Sequence, residues 1–283
     1  MIRVLQPGDE AALESFLAPR ALTSMFLRSN ARAAGLVDRG EPMQATYAAA
    51  FAEDRIVAVA AHCWNGNLIL QSPSDLGAVA REALRASGRG LTALSGPWDQ
   101  VLRARDELGL ADRPTITRDR DALFDLDLSA LRVPPEKSGV ECRRPEDSEL
   151  PGCAEWRYAY MIETGFGEAS PALRAAAYQN VDLTHELGND FVLVEDGQLV
   201  AYSAFNARLP EIVQVGGVWT PPALRGRGHA RRVVAGSLLA ARAQGTGRAV
   251  LFTFEKNLAA IRAYQALGFR HAGDYGLIFF SSS

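Results

Sequence analysis

The sequence predicts a mixed α/β protein built from two related halves. Three observations carry this: strand and helix patterns alternate along the chain, three segments of the first half recur in order in the second, and a proline-rich stretch separates them. The 283 residues are enough for two domains of ordinary size. Hydrophobic residues at 48% and charged residues at 22% match a folded protein with a sizeable core.

The echoes are specific. "VLQPGD" (4–9) recurs as "CRRPED" (142–147), each a strand that meets proline and then aspartate at a helix start. "AEDRIVAVAA" (52–61) parallels "VEDGQLVAYSA" (194–204), each a hairpin with acids at its turn. "LRARDELGL" (102–110) and "IRAYQALGF" (261–269) share Arg-Ala and end in Leu-Gly plus an apolar residue. Their order indicates a duplication. "RVPPEKSG" (132–139) reads as a linker, which sets the expected domains at 1–131 and 140–283.

In the second half the pattern predicts a strand over 140–143 and helices over 147–164 and 171–186. A hairpin follows, with strands 191–195 and 198–207 around Asp196-Gly197. A strand over 212–220 ends where Thr220-Pro221-Pro222 must leave it, because proline offers no ladder donor. From Gly228, the residues Val233, Val234, Ser237, Leu238 and Ala241 recur at helical spacing, and Gly245 stops that helix. "AVLFTF" (249–254) reads as a buried strand, 257–267 as a helix and 275–280 as a last strand.

Composition narrows the function. A net charge of −3 and a pI near 5.9 argue against a general nucleic-acid binder. The cysteines, Cys63, Cys142 and Cys153, have no metal-type spacing, so no metal site is expected and a reducing cytoplasm fits best. The first residues lack the apolar region of a signal peptide, and no run approaches the roughly 18 apolar residues of a membrane span. Nothing in the sequence speaks to oligomeric state.

The informative stretch is "VWTPPALRGRGHAR" (218–231), where a strand hands over to a helix. A helix start presents unpaired N–H groups and about half a positive charge. Gly226 and Gly228 would let the backbone approach an anion, and Arg225 and Arg227 add planar donors suited to phosphate oxygens. A P-loop would need Gly-Lys-Ser/Thr, but Gly228 is followed by His229-Ala230. A dinucleotide fingerprint gains Gly226 and Gly228, then meets Arg231 at its third glycine. Glu255 at the end of the next strand keeps that alternative open.

"RGRGHA" also matches Arg/Gln-x-x-Gly-x-Gly/Ala, and with "NLAAIRAYQALGF" (257–269) behind it the second half resembles the GNAT superfamily of N-acyltransferases. The resemblance covers roughly 138–280. It implies two tandem GNAT-like domains, each a central twisted, mostly antiparallel sheet flanked by helices. It further implies acetyl-CoA as co-substrate and direct acetyl transfer to the primary amine of a small acceptor. Val218 and Trp219 would pair with pantetheine, with Thr220 beside them. Amides from Arg227 through Ala230 would hold the pyrophosphate between Arg225 and Arg227, and Asn257 would contact the cofactor arm. Tyr264 would protonate the departing thiolate, a role open to a phenol that stays protonated at neutral pH.

Each of these residues has a plainer reading. His229 can simply face solvent, Tyr264 can be core, and Asn257 can be an ordinary N-cap. A general base is not evident: Glu211 fits a hairpin cap, and Glu163, Glu168 and His185 read first as surface groups. Trp156, Tyr158 and Tyr160 either line an acceptor pocket or form one apolar helix face. The net acidity slightly favours a cationic acceptor.

The first half lacks the signature. Trp98 and Arg105 stand opposite Asn257 and Tyr264, and "SPSDLGAVAREAL" (72–84) has only Gly77 and no arginine ahead of its helix. A degenerate, supporting domain is expected there. The competing reading for the whole chain is a non-catalytic CoA-binding or interaction module of the same fold.

Overall fold

The computed structural model describes residues 1–281. The chain forms β1 (Ile2–Val4), α1 (Glu10–Leu17), α2 (Ala21–Ala34), β2 (Ala45–Ala52), β3 (Arg55–Cys63), β4 (Asn67–Gln71), α3 (Leu76–Ser87), β5 (Ala93–Pro97), α4 (Trp98–Glu107) and β6 (Thr115–Asp127). The same order of elements then repeats: β7 (Val140–Arg143), α5 (Leu150–Glu163), α6 (Pro171–Glu186), β8 (Asp190–Glu195), β9 (Gln198–Arg208), β10 (Ile212–Trp219), α7 (His229–Ala243), β11 (Arg248–Phe254), α8 (Leu258–Ala266) and β12 (Arg270–Phe280). Ten elements recur in one order, as the sequence echoes led us to expect.

Two compact units result: Met1–Asp121 with Asp274–Ser283, and Ala122–Gly273. These differ from the expected domains 1–131 and 140–283. The first unit orders its strands β1-β2-β3-β4-β5 and closes with β12, whose Tyr275–Phe279 run antiparallel to Pro97–Ala93 of β5. In the second unit the order is β7-β8-β9-β10-β11, with β6 next to β11. Each unit is thus completed by the strand that follows the other unit's last helix. Hydrophobic pattern shows that a segment is a strand but not which strands it pairs with.

Within each unit the strand pairing is mixed and mostly antiparallel. In the second unit β7, β8, β9 and β10 pair antiparallel in sequence, and β10 pairs parallel with β11. The parallel β10–β11 connection crosses over through α7, as such a pairing requires. The predicted stripe of α7 is the buried one: Val233, Val234, Ser237, Leu238 and Ala241 lie against Phe191, Val213, Leu251 and Leu267. The other face of the sheet packs Cys153, Ala154 and Val181 of α5 and α6 on Val192, Tyr202 and Trp219. The predicted helix over 147–164 begins with a short 3-10 turn, Asp147–Glu149, and becomes α-helical at Leu150.

One glycine sets how closely α7 lies on β7. A Cβ on Gly236 would come within 2.4 Å of both Cβ and Sγ of Cys142. Gly236→Val should destabilise the protein by about 1–3 kcal/mol through overpacking, read as a lower urea midpoint at unchanged slope.

Candidate active site

The site begins where β10 and β11 part. Their ladder runs Ile212↔Arg248, Val213↔Ala249, Gln214↔Val250 and stops, although β10 continues to Trp219 and β11 to Phe254. Residues 215–219 and 251–254 therefore flank a cleft. Its cause lies in "VQVGGVW": pairing of β10 with β9 shifts register between Gln214 and Val215 and again between Gly216 and Trp219. Gly217 takes φ +59°, a conformation glycine adopts at little cost. Such bulges bend and twist the strand that carries them. An extended, amide-bearing arm fits between the parted strands as a guest strand would.

At the open end of the cleft the chain passes Thr220, whose Oγ1 is buried without a partner, and enters the glycine loop. Gly226 (φ +79°) and Gly228 (φ +81°) are both left-handed, and Gly228 is the N-cap of α7. A Cβ on Gly226 would touch nothing within 4 Å, and one on Gly228 only Nη2 of Arg231 at 3.9 Å. The loop thus faces open space. The amides of Arg227, Gly228, His229, Ala230 and Arg231 donate to no acceptor among the described residues; the first bond of the turn is Arg232 N to Gly228 O at 3.1 Å. Converging free amides at a helix start form an anion site.

The flanking arginines divide differently from expectation. Arg225 is committed elsewhere: its Nη2 donates to Glu163 Oε2 (2.8 Å), its Nε to Thr220 O (3.0 Å), and its guanidinium lies 4.8 Å from the Trp219 ring centroid. Arg227 remains exposed at the loop. Arg231, which the sequence reading noted only for not being a glycine, has a buried, unpartnered Nε beside Gly228. Its Nη2, 3.9 Å from the Cβ position of Gly228, puts a second guanidinium at the border of the glycine loop.

His229 does not face solvent. Its side chain is 3% exposed, and neither ring nitrogen has a hydrogen-bond partner. Burial lowers its pKa; Glu195, 3.7 Å away, opposes that shift. Its amide remains available, so it serves the loop through the backbone.

Asn257 is the N-cap of α8, its Oδ1 accepting from Ala260 N at 3.2 Å. The cap and a contact to the cofactor arm are compatible, because only the oxygen is used. Tyr264, on the same helix, is buried and edge-on to Phe269. Burial, reinforced by Tyr160, raises its pKa well above the usual phenol value. Its hydroxyl has no partner among the described residues and remains an available proton donor.

Tyr160 meets Trp219 edge to face (6.3 Å) and stacks on Phe166, which places it over β10. Tyr158 instead lies under the Arg174 guanidinium, and Trp156 joins the core between α5 and the sheet. The base candidates disperse. Glu211 precedes the first residue of β10, about 25 Å along the strand from Trp219. Glu168 is exposed, and Glu163 holds Arg225. The His185 Nδ1 sits 2.8 Å from the buried Asp190, and its Nε2 lies 3.4 Å from Asp147. Burial pushes the Cys142 and Cys153 thiols up to about 12, which removes them as nucleophiles at neutral pH. Among the described residues no cluster suits a metal ion, and no helix is long and apolar enough to cross a membrane.

The equivalent place in the first unit is closed. Leu70 O lies 2.7 Å from the Cβ position of Gly96, so β4 and β5 stay in contact beyond their last ladder pair, Ile69↔Ser95. Ser72 N donates to Gln100 Oε1 (2.6 Å). At the start of α3 the amide of Gly77 donates to Glu107 Oε2 (2.8 Å), and a Cβ on Gly77 would meet that oxygen at 2.4 Å. The protein's own carboxylate occupies the spot that would receive a phosphate.

The β10–β11 ladder thus ends short of both strands, and β10 leads into a glycine-rich helix start. Residues 153–269 match the model of the Acetyltransferase (GNAT) family. Solved structures agree in fold. A Drosophila protein superposes with TM-score 0.71 at 12% identity, covering 100% of this chain and 99% of its own. A GCN5-related N-acetyltransferase from Sphaerobacter thermophilus gives 0.60 at 16% identity, covering 98% and 94%. A tandem GNAT protein from the clavulanic acid biosynthesis pathway gives 0.59 at 14% identity, covering 100% and 99%. No curated protein matches the sequence.

Proposed function

We propose that the second unit transfers an acyl group, acetyl in the simplest case, from acyl-CoA to a primary amine, and that the first unit is a supporting domain without a cofactor. The observation that carries this reading is the cleft at 215–219 and 251–254 leading into five uncommitted amides at 227–231. Pantetheine lies in the cleft against Val218 and Trp219, and the diphosphate on the loop with Arg227 and Arg231. The thioester then reaches inward, to the bulge at Gly216-Gly217.

The amine nitrogen attacks the thioester carbonyl carbon. A C–N bond forms, and the carbonyl oxygen takes the negative charge of the tetrahedral intermediate. As the C–S bond breaks, the thiolate takes the Tyr264 hydroxyl proton, and the proton released by the amine returns through solvent to the tyrosine. Most of the acceleration comes from holding amine and thioester together. No residue suits a covalent acyl-enzyme: the cysteines are held as thiols.

The test is calorimetry with acetyl-CoA, followed by thiol release over a panel of amines. One acetyl-CoA should bind per chain, because Glu107 closes the equivalent helix start of the first unit. Two equal sites would refute the supporting role of that unit, and no binding would refute the transferase reading.

A further inference from the structure

The inner end of the cleft holds an arginine that has no acidic partner among the described residues. Arg157 lies on α5, with Nη1 3.1 Å from the Cβ position of Gly217, so its guanidinium rests on the main chain of the bulge. Its Cζ is 5.0 Å from the centroid of the Tyr160 ring. Its Nε is buried with no hydrogen-bond partner. Four other arginines of the same unit are each paired with an acid: Arg143 with Glu149, Arg144 with Asp190, Arg225 with Glu163 and Arg248 with Asp125. Arg231 is also unpaired, but it borders the diphosphate loop, which explains it.

A guanidinium stays charged at any physiological pH, and a half-buried one without a partner lowers stability unless its counter-charge comes from outside. Given the acyl-transfer reading above, the diphosphate lies at the far end of the cleft and cannot serve. Arg157 instead borders the point where the thioester and amine meet. We propose that Arg157 binds a carboxylate brought to the transfer centre by a substrate, either that of an amino-acid-like acceptor or that at the far end of a dicarboxylic acyl chain. A carboxylate matches one planar guanidinium in charge and geometry. A phosphate would bring excess charge to a place walled by Tyr160 and Trp219, where the neighbouring cation, Arg225 on the Trp219 ring, is already neutralised by Glu163. The cationic acceptor suggested by the net acidity of the chain then becomes a zwitterion, whose amine reacts while its carboxylate is held.

The full-length chain is assayed for CoA release in two arms. The first compares amino acids with their amides, using acetyl-CoA. The second compares succinyl-CoA with acetyl-CoA, using an uncharged amine as acceptor. The carboxylate member of one arm should be favoured about tenfold or more in kcat/KM. Arg157→Gln should abolish that preference, Arg157→Lys should restore part of it, and acetyl-CoA affinity by calorimetry should be unchanged in both. A preference in the first arm places the carboxylate on the acceptor, and one in the second places it on the acyl chain. A chain that binds acetyl-CoA but favours no carboxylate in either arm overturns the inference, as does an Arg157→Gln variant that keeps the preference. Failure to bind acetyl-CoA at all is the separate failure of the transferase reading.

Discussion

Gly228→Trp should raise the dissociation constant for acetyl-CoA at least 100-fold while leaving the protein folded. The left-handed conformation at Gly228 costs a non-glycine residue about 1–2 kcal/mol, which a folded protein of ordinary stability tolerates. The new side chain starts into open space, because a Cβ at Gly228 meets only one Arg231 nitrogen within 4 Å. That is the space in which the diphosphate would sit. A ring there displaces the phosphates from the 227–231 amides and from Arg231 together, so the loss far exceeds that of one hydrogen bond. Calorimetry and circular dichroism on the same sample separate lost binding from lost structure. Unchanged affinity in a folded variant would show that this loop does not hold the cofactor. Gly226→Ala is the milder companion, since its methyl group also enters open space.

The sequence made the second unit readable because its chemistry is local. The loop, the stripe of α7 and the Asn257–Tyr264 spacing each lie within a single segment, and each segment folds as its residue types dictate. What stayed hidden depends on residues far apart in the chain. The parting of β10 from β11 is a matter of ladder length, and its only sequence trace is the Gly216-Gly217 doublet inside a strand, a recognised bulge signal. The exchange of β6 and β12 between units leaves no trace in hydrophobic periodicity. Arg157 looks like any helical arginine until its lack of an acid is seen, and His229 looks like any loop histidine until its burial is known. Arg225 shows the opposite error: a residue type suited to phosphate has its donors taken by Glu163, 62 positions away. Glu107 closes the first unit in the same long-range way, from α4 onto the start of α3.

Tyr264→Phe should lower kcat about 100-fold with the acetyl-CoA dissociation constant unchanged, the signature of a group that acts only as the bond breaks. The exchange removes one oxygen from a buried ring whose edge-on packing against Phe269 is otherwise kept. The pH dependence sharpens the test. Burial raises the tyrosine pKa, so the neutral phenol is present throughout the assay range and no alkaline limb from this residue is expected up to pH 9. The rate should rise with pH only as the acceptor amine loses its proton, and the variant should show the same profile scaled down. The stability sign is consistent: a group whose pKa is raised on folding contributes fully below its unfolded value near 10, and that contribution is lost only as pH climbs toward the folded value. At pH 7 the phenol is neutral in the folded and unfolded chain alike, so its loss removes no titration there and the variant should unfold like the parent. An alkaline limb below pH 9 in the parent that vanishes in the variant would instead mark the tyrosinate as the reactive form, acting as a base on the incoming amine rather than as an acid on the leaving thiolate.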